Sequence, residues 1–507
     1  MYKEITMEND LMKFKSGSDI RGTAAEGVEG QPIELTDERV SRMAKGFYVW
    51  LKKRNPDKDV LTVSLGHDSR ISAPRLSACV KNALVESGAK VIFTGLSSTP
   101  AMFMTTQLLD CDGAIQLTAS HHPFNKNGLK FFAKNGGLEG SDIAEILTYA
   151  FENESISGKG SVQEVDFMST YSQVLVDFVR KQAGSEKPLE NFKIVVDAGN
   201  GAGGFYVDNV LKPLGADTNG SQFLDPDGYF PNHIPNPENP TAMKFICDKV
   251  KAVNADFGII FDTDVDRAGA VDDLGEEINR NKLIALISAI LLEEKGGAYI
   301  VTDSITSDGL KEFIEAKGGV HHRFKRGYKN VINEAIRLNK EGKYCPLAIE
   351  TSGHAALKEN YFLDDGAYLV TRLLVKMAQL KGTGRKLRDL IADLKLPAES
   401  AEIRMGFKAD VDFKSYGKTV LDELKVYAEN NGWALAPSNY EGIRISFGSG
   451  QGDGWFLLRM SLHDPIMPLN IESNVKGGNL IIAKRLYEFL KGYDNLVVDN
   501  LKAFIEK

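Results

Sequence analysis

Short apolar runs followed by polar loops and then by amphipathic stretches recur through most of this chain. Runs with the length of strands lie at residues 60–65, 90–94, 114–117, 193–197, 257–261 and 298–301. This alternation predicts α/β domains with mostly parallel sheets. Ligands of such sheets bind beyond the carboxyl ends of the strands, so the polar loops that follow the runs are the expected place for a site.

Changes in this pattern divide the 507 residues into four predicted domains. Three similar mixed α/β domains are predicted over residues 1–188, 189–297 and 298–398. Beyond them the alternation stops, and two helical stretches with strands between them predict a smaller α+β domain over residues 399–507. A size of about 100–150 residues for each domain is ordinary.

Acidic and basic residues are interspersed and give a formal net charge of −8. This balance does not suit a nucleic-acid or membrane surface, so an anionic substrate would need a local basic pocket. The four cysteines form no CxxC pair, which argues against a structural metal or a disulfide framework. The longest apolar run, 283–292, is about half of what a bilayer requires. We expect a cytoplasmic monomer or homodimer that acts on small molecules and binds neither nucleic acid nor membrane.

A polar loop with the sequence T-A-S-H-H-P spans residues 118–123 and carries Ser120. Turn-forming residues surround it, so we expect Ser120 to be exposed at the end of a strand. A hydroxyl flanked by two imidazoles and followed by Lys130 can carry a covalently transferred group. A serine- and histidine-rich turn without catalytic function is the competing interpretation.

Three alternating aspartates, Asp262, Asp264 and Asp266, come directly after an apolar run. In an extended segment their carboxylates project to one side, where they would repel unless a hard divalent cation joined them. A calcium loop of the EF-hand kind is excluded because Arg267 stands where that loop needs glycine. A solvated acidic turn remains open, while the third aspartate and Arg267 favour metal binding over an aspartyl-phosphate nucleophile of the haloacid-dehalogenase kind.

Two further loops offer groups for a sugar and a phosphate. Glu350 and Ser352 would face the same way in an extended loop, as an acceptor and a hydroxyl suited to sugar hydroxyls. Arg459 and Ser461 likewise share a face and can clamp a phosphate. Residues 199–204 form a glycine-rich turn, but its spacing does not match a dinucleotide fingerprint.

The order of these loops resembles that of the α-D-phosphohexomutase superfamily of phosphoglucomutases, phosphomannomutases and phosphoglucosamine mutases. Residues 118–123 correspond to its phosphoserine loop, usually T-[AG]-S-H-N-P, and residues 262–267 to its metal loop, D-G-D-x-D-R. Residues 350–354 correspond to its sugar loop and 459–465 to its phosphate loop, R-x-S-x-T-E-P. The resemblance covers nearly the whole chain. Departures from it are His122 for Asn, Thr263 and Ile349 for Gly, and Leu462-His463-Asp464 in the phosphate loop.

The resemblance implies four domains around one central cleft and the interconversion of hexose 1-phosphate and hexose 6-phosphate, with glucose or mannose as the sugar. The reaction would pass through a phosphoserine and a 1,6-bisphosphate, with Mg²⁺ as the cofactor and glucose 1,6-bisphosphate as the priming activator. A phosphoglucosamine mutase, a metal-dependent sugar-phosphate phosphatase and a sugar-phosphate-binding protein without turnover remain open alternatives.

Residue roles follow from the same resemblance. The catalytic candidates are Ser120, Lys130, Arg21 and His354. The metal ligands are Ser120, Asp262, Asp264 and Asp266. The substrate-binding candidates are Glu350, Ser352, Arg459, Ser461, His463, Arg267 and Lys329.

Overall fold

A computed structural model describes residues 11–437, 439–461 and 464–506, which divide into two compact units. Unit 1 contains the chain up to Leu283 together with Ser352–Asp389, and unit 2 contains Ile284–Thr351 and the chain from Leu390 onward. The predicted class, mixed α/β domains followed by a C-terminal α+β domain, is confirmed.

The first sheet of unit 1 has the strand order β1-β2-β6-β5-β3-β4-β8, with β7 paired to β6. Its strands are β1 (Lys15–Ser16), β2 (Asp19–Thr23), β3 (Thr62–His67), β4 (Lys90–Leu96), β5 (Gly113–Leu117), β6 (Lys126–Ala133), β7 (Gly136–Gly137) and β8 (Ser161–Glu164). Its helices are α1 (Asp37–Arg54), α2 (Ala73–Glu86), α3 (Thr99–Leu108), α4 (Gly140–Glu152) and α5 (Phe167–Ala183).

The expectation of a mostly parallel sheet is wrong for this domain. The pairs of β3 with β4 and β5 are parallel, but β6 is antiparallel to both β5 and β2. The loop from β5 to β6 is too short for a helical crossover, so the chain turns back as a hairpin. Ser120 lies in that hairpin loop.

The second sheet of unit 1 has the order β12-β11-β10-β9, built from β9 (Ile194–Asp197), β10 (Phe257–Phe261), β11 (Ala268–Val271) and β12 (Glu277–Ile278). β9 and β10 are parallel, and β11 returns antiparallel to β10. Unit 1 also holds a π-helix (Tyr206–Leu211), α6 (Pro240–Val253), a hairpin of β16 (Ala355–Leu357) and β17 (Leu363–Asp364), and α10 (Gly366–Gln379). The turn between β10 and β11 carries the three aspartates.

In unit 2, β13 (Tyr299–Thr302) pairs in parallel with both β14 (Val320–Arg323) and β15 (Leu347–Ile349). Helices α8 (Asp308–Ala316) and α9 (Tyr328–Lys340) accompany them, and α7 (Asn281–Glu294) precedes them. α7 contains the apolar run 283–292 and is a buried core helix, as predicted. No helix in the described ranges is both long and apolar enough to cross a bilayer.

The C-terminal domain of unit 2 has an antiparallel sheet in the order β19-β20-β21-β22-β18-β23. Its strands are β18 (Glu399–Phe407), β19 (Ala434–Leu435), β20 (Ile443–Phe447), β21 (Gly454–Leu458), β22 (Ile466–Ser473) and β23 (Leu496–Val497). Its helices are α11 (Phe413–Asn430), α12 (Gly478–Leu490) and α13 (Asp499–Ile505).

Arg444 of β20 joins this domain to the preceding α/β domain within unit 2. Its guanidinium lies 3.5 Å from the centroid of the Trp455 ring and donates to the backbone oxygens of Ser304 and Thr306 at 3.0 and 3.1 Å. It also donates to Asp308 Oδ1 at 2.9 Å. A planar fork with several donors suits this buried position, whereas a lysine presents a single ammonium.

We predict that Arg444→Lys lowers the free energy of unfolding by about 2–4 kcal/mol, because a single ammonium cannot replace every donor that the guanidinium gives to Ser304, Thr306 and Asp308. Urea denaturation measures this loss. Arg404→Lys is the matched control, since the Arg404 side chain is 68% exposed. Equal stability of the two variants would contradict the assignment.

Candidate active site

Ser120 is buried, with 5% of its surface exposed, so the expectation of an exposed serine is wrong. Its hydroxyl donates to Asp262 Oδ2 at 3.2 Å and accepts from Arg267 Nη2 at 2.9 Å. Its backbone has φ 49°, a left-handed conformation that costs a non-glycine residue energy and persists only where surrounding contacts hold it. The hydroxyl therefore has a defined place between an acid and a cation.

Arg70 fixes the backbone of this serine loop. Its guanidinium, fully buried, donates to the backbone oxygens of Ser120, His122, Pro123 and Lys126. Through these four contacts, one side chain holds the whole turn in shape.

The three aspartates converge through a turn, and the expectation of an extended segment is wrong. Asp262, Asp264 and Asp266 each offer an oxygen within 4.8 Å of the others. Val265, in the middle of the turn, has φ 68°, which is strained for a β-branched residue. Among the described residues, Asp264 Oδ1 and Asp266 Oδ1 are buried oxygens without a hydrogen-bond donor.

The electrostatics of this cluster fit a cation. Burial raises the pKa of Asp262 well above its usual range despite the opposing charge of Arg267, and burial and Asp266 raise the pKa of Asp264. The pKa of Asp266 is lowered, because Lys130 and His354 outweigh the effect of burial. A divalent cation would favour the charged forms and supply the partner that the two orphaned oxygens lack.

The glycine-rich turn after β9 packs directly against the acidic turn. The N–H of Ala202 donates to the backbone oxygen of Thr263 at 2.8 Å. A Cβ on Gly201 would lie 2.5 Å from that same oxygen. The glycines that looked like an incomplete dinucleotide fingerprint therefore allow two backbones to approach closely.

Lys130 and His354 lie on either side of Asp266. Lys130 Nζ donates to Asp266 Oδ2 at 2.8 Å, and His354 Nδ1 lies 3.9 Å from Asp266 Oδ1. His354 Nδ1 is also hydrogen-bonded to Asp364 Oδ2. Burial disfavours the charged imidazole, but Asp364 and Asp266 outweigh it and raise the pKa of His354 to about 9.

His121 and Arg21 complete the surroundings of the serine. Burial and the charge of Arg267 lower the pKa of His121 to about 2, so its Nδ1 is neutral and accepts from Arg267 Nη2 at 2.7 Å. Arg21 pairs with Asp19 at 3.0 Å and contributes to the low pKa of His122, which burial brings to about 4.

The predicted sugar loop lies at the end of β15. Glu350 is buried and accepts from the N–H of Gly327 at 2.6 Å, just before α9, whose first turn contains Lys329. Residues 351 and 352 form a turn rather than the expected extended loop. Ser352 belongs to unit 1, where it is 8% exposed.

The predicted phosphate loop in unit 2 has both basic and acidic neighbours, and Arg459 Nε lies 4.0 Å from Glu441 Oε1. The N–H groups of Arg459 and Ser461 both donate to β22, at 3.2 and 3.0 Å, so their side chains share a side. Burial and the neighbouring Arg326 lower the pKa of Arg459. His463 lies outside the described residues.

Sequence reasoning missed Asp364 and the role of Arg70. Asp364 precedes Asp365, the N-cap of α10, so its local sequence is that of a helix start. The contacts of both residues depend on chain segments distant in sequence, and no local pattern marks them.

Comparison with known proteins now identifies the family. Models of the phosphoglucomutase/phosphomannomutase alpha/beta/alpha domains I, II and III match residues 12–157, 169–275 and 279–396. The phosphomannomutase/phosphoglucomutase of Pseudomonas putida is 30% identical over 415 residues, covering 81% of this chain and 83% of that protein. This chain belongs to the phosphoglucomutase/phosphomannomutase family.

Other members of the family are similar to this chain over most of their length. A phosphoglucomutase of Neisseria meningitidis is 28% identical over 475 residues, covering 93% of this chain and 96% of that protein. The crystal structure of a family protein from Burkholderia thailandensis has a TM-score of 0.78 and 26% identity, covering 96% of this chain and 99% of that one. The chain is thus an isomerase of the α-D-phosphohexomutase superfamily, a phosphohexomutase.

We predict that Gly201→Ala disturbs the acidic turn, because the added Cβ overlaps the backbone of Thr263. The expected loss of stability is about 1–3 kcal/mol, and the metal concentration for half-maximal phosphohexomutase activity should rise. Urea denaturation and metal titration measure the two effects. Gly296→Ala is the control, since its Cβ would meet no atom within 4 Å. A wild-type metal response of Gly201→Ala would contradict the prediction.

Proposed function

We propose that this phosphohexomutase interconverts the 1- and 6-phosphates of glucose, mannose or both, with Ser120 as the phosphoryl carrier. The supporting observation is the position of its hydroxyl, 2.9 Å from Arg267 Nη2 and 3.2 Å from Asp262 Oδ2. Phosphoryl transfer needs a positioned oxygen beside positive charge more than it needs covalent chemistry from other side chains. Burial of Ser120 also limits hydrolysis of a phosphoserine by water.

The reaction we propose consists of two transfers. Phosphorylated Ser120 gives its phosphoryl group to the free hydroxyl of the bound sugar phosphate: the P–O bond to serine breaks, and a P–O bond to the sugar forms. The resulting 1,6-bisphosphate turns end for end and returns its other phosphate to Ser120. Free glucose 1,6-bisphosphate would prime an unphosphorylated chain in the same way.

Protein side chains would stabilise charge and move the proton. Arg267 donates to the phosphoryl oxygens, because its Nη2 already contacts the accepting atom. We assign the transfer of the sugar-hydroxyl proton to Lys130 or His354, which flank one carboxylate, and place Arg21 near the reacting group. Mg²⁺ held by Ser120 and the three aspartates would polarise the phosphoryl group and offset its charge.

Substrate recognition must work in two flipped orientations. We assign the 3- and 4-hydroxyls, which lie between the two ends of the sugar, to Glu350 and Ser352. We assign the distal phosphate to Arg459 and Ser461, together with Lys329 and His463. None of these assigned contacts is made to carbon 2, where glucose and mannose differ. This supports the acceptance of both sugars.

We expect the purified chain to convert glucose 1-phosphate into glucose 6-phosphate without net release of inorganic phosphate when glucose 1,6-bisphosphate is present. Incubation with the bisphosphate should add about 80 Da to the intact mass, and Ser120→Ala should abolish both the added mass and the turnover. A coupled assay and mass spectrometry give the two readings.

Ser155→Ala, at an exposed serine, should keep both properties. Release of phosphate alone would indicate a phosphatase, and sugar-phosphate binding without turnover would indicate a binding protein. Either result overturns the proposal. Rates on mannose and glucosamine 1-phosphates then rank the sugars.

For the metal site, we predict that Mg²⁺ raises the thermal midpoint of the wild type, because it binds only the folded cluster. Asp264→Asn should remove this effect and lower kcat/KM by at least about 100-fold, since a ligand is lost. Without metal the variant should be at least as stable as the wild type, because one buried like charge is gone.

Asp248→Asn, at an exposed aspartate paired with Lys244, is the control and should respond to Mg²⁺ normally. A normal response of Asp264→Asn would show that the cation binds elsewhere.

A further inference from the structure

A cavity of about 330 Å³ lies in unit 1 at the end of β10 opposite the acidic turn. Phe257, the first residue of β10, lines it, whereas Asp262 follows the last residue. Five steps of about 3.3 Å along a strand separate these positions by roughly 16 Å. The cavity is therefore separate from the phosphoryl-transfer site.

The interior of the cavity is apolar. Phe192, Phe257, Met377, Leu380 and Leu387 contribute to its lining, and all but Phe192 are buried. Ligand pockets range upward from about 300 Å³ and are lined mainly by such side chains. A cavity of this size suits a ligand with two or three fused or linked rings.

The rim of the cavity is charged, and its acidic side chains are already engaged. Asp256 accepts from the N–H of Lys193 at 2.9 Å and lies 3.6 Å from Lys386 Nζ. Asp272 accepts from two backbone N–H groups, each at 2.9 Å, and Asp273 pairs with Arg388. An incoming cation would find no unpaired carboxylate there.

Arg385 differs from its neighbours on the rim. It follows Gly382 and Gly384, which have φ 79° and 76°, so the loop that carries it has a backbone only glycine adopts readily. Its side chain is exposed and has no hydrogen bond or ion pair within the described part of the chain. A guanidinium without a partner beside an apolar cavity offers an anion a charge-assisted contact.

We propose that this cavity binds a small aromatic anion, with the rings inside and the anionic group on Arg385. The apolar lining accounts for the rings, and Arg385, whose side chain has no partner among the described residues, accounts for the charge. Lys381 on the same rim already donates to the backbone oxygen of Glu190 at 2.7 Å. A cavity of about 330 Å³ has the size of a small-molecule site.

The test uses 8-anilinonaphthalene-1-sulfonate as the probe and the full chain. We expect saturable binding of one probe per chain, read by fluorescence, that Arg385→Gln weakens about three- to tenfold. Arg404→Gln makes the same change of charge at a remote exposed site and should bind as the wild type does. N-phenyl-1-naphthylamine, which lacks the sulfonate, should bind wild type and Arg385→Gln equally.

Saturating glucose 1-phosphate should leave the bound probe in place. Displacement of the probe by the sugar phosphate would show that the probe binds in the catalytic site. Equal affinities of Arg385→Gln and wild type for the probe would show that Arg385 does not contact the sulfonate. A dimer that dissociates in Arg385→Gln would mean that a second copy covers the cavity. Each of these results overturns the proposal, and none depends on whether the chain is active as a mutase.

Discussion

The guanidinium of Arg267 connects the two loops that form the candidate active site. One nitrogen reaches Ser120 Oγ and His121 Nδ1, and another donates to Asp262 at 3.0 Å. The serine comes from a hairpin in the first sheet and the aspartate from a turn in the second, so neither sheet alone builds the site. Removing this cation would leave the buried carboxylate of Asp262 without the opposite charge that offsets the cost of its burial.

Close backbone packing supports this connection on two sides. Gly201 approaches Thr263 from the turn after β9, and Gly366, at the start of α10, donates its N–H to the backbone oxygen of Val265 at 3.1 Å. A Cβ on Gly366 would lie 2.5 Å from the backbone of Arg267. The strained φ of Val265 is thus held by contacts on both flanks, which is the condition under which such strain persists at a functional site.

The order of strands and helices and the convergence of the aspartates were predictable, because each leaves a local pattern. The roles of the polar loops stay predictions. β10 follows the predicted run residue for residue. The burial of Ser120 and the turn at Val265 were not predictable, because long-range contacts impose them against local preference. Asp364 illustrates the same limit. Its sequence neighbourhood indicates only the start of a helix, and its contact with His354 forms because β16 and β17 pair as a hairpin.

The candidate site combines a buried serine in a left-handed conformation, three converging carboxylates and a guanidinium between them. This arrangement lowers the stability of the folded chain. Replacing such a cluster with apolar side chains often stabilises a protein, whereas removing a cation such as Arg267 leaves buried carboxylates unpaired. The raised pKa values of Asp262 and Asp264 express this cost directly, because the folded chain resists their ionisation. A cation and a phosphoryl group would relieve it by supplying opposite charge to the acids and an anion to Arg267. Under the proposed function, the stability that such a cluster costs the fold would be recovered as binding energy for the two ligands.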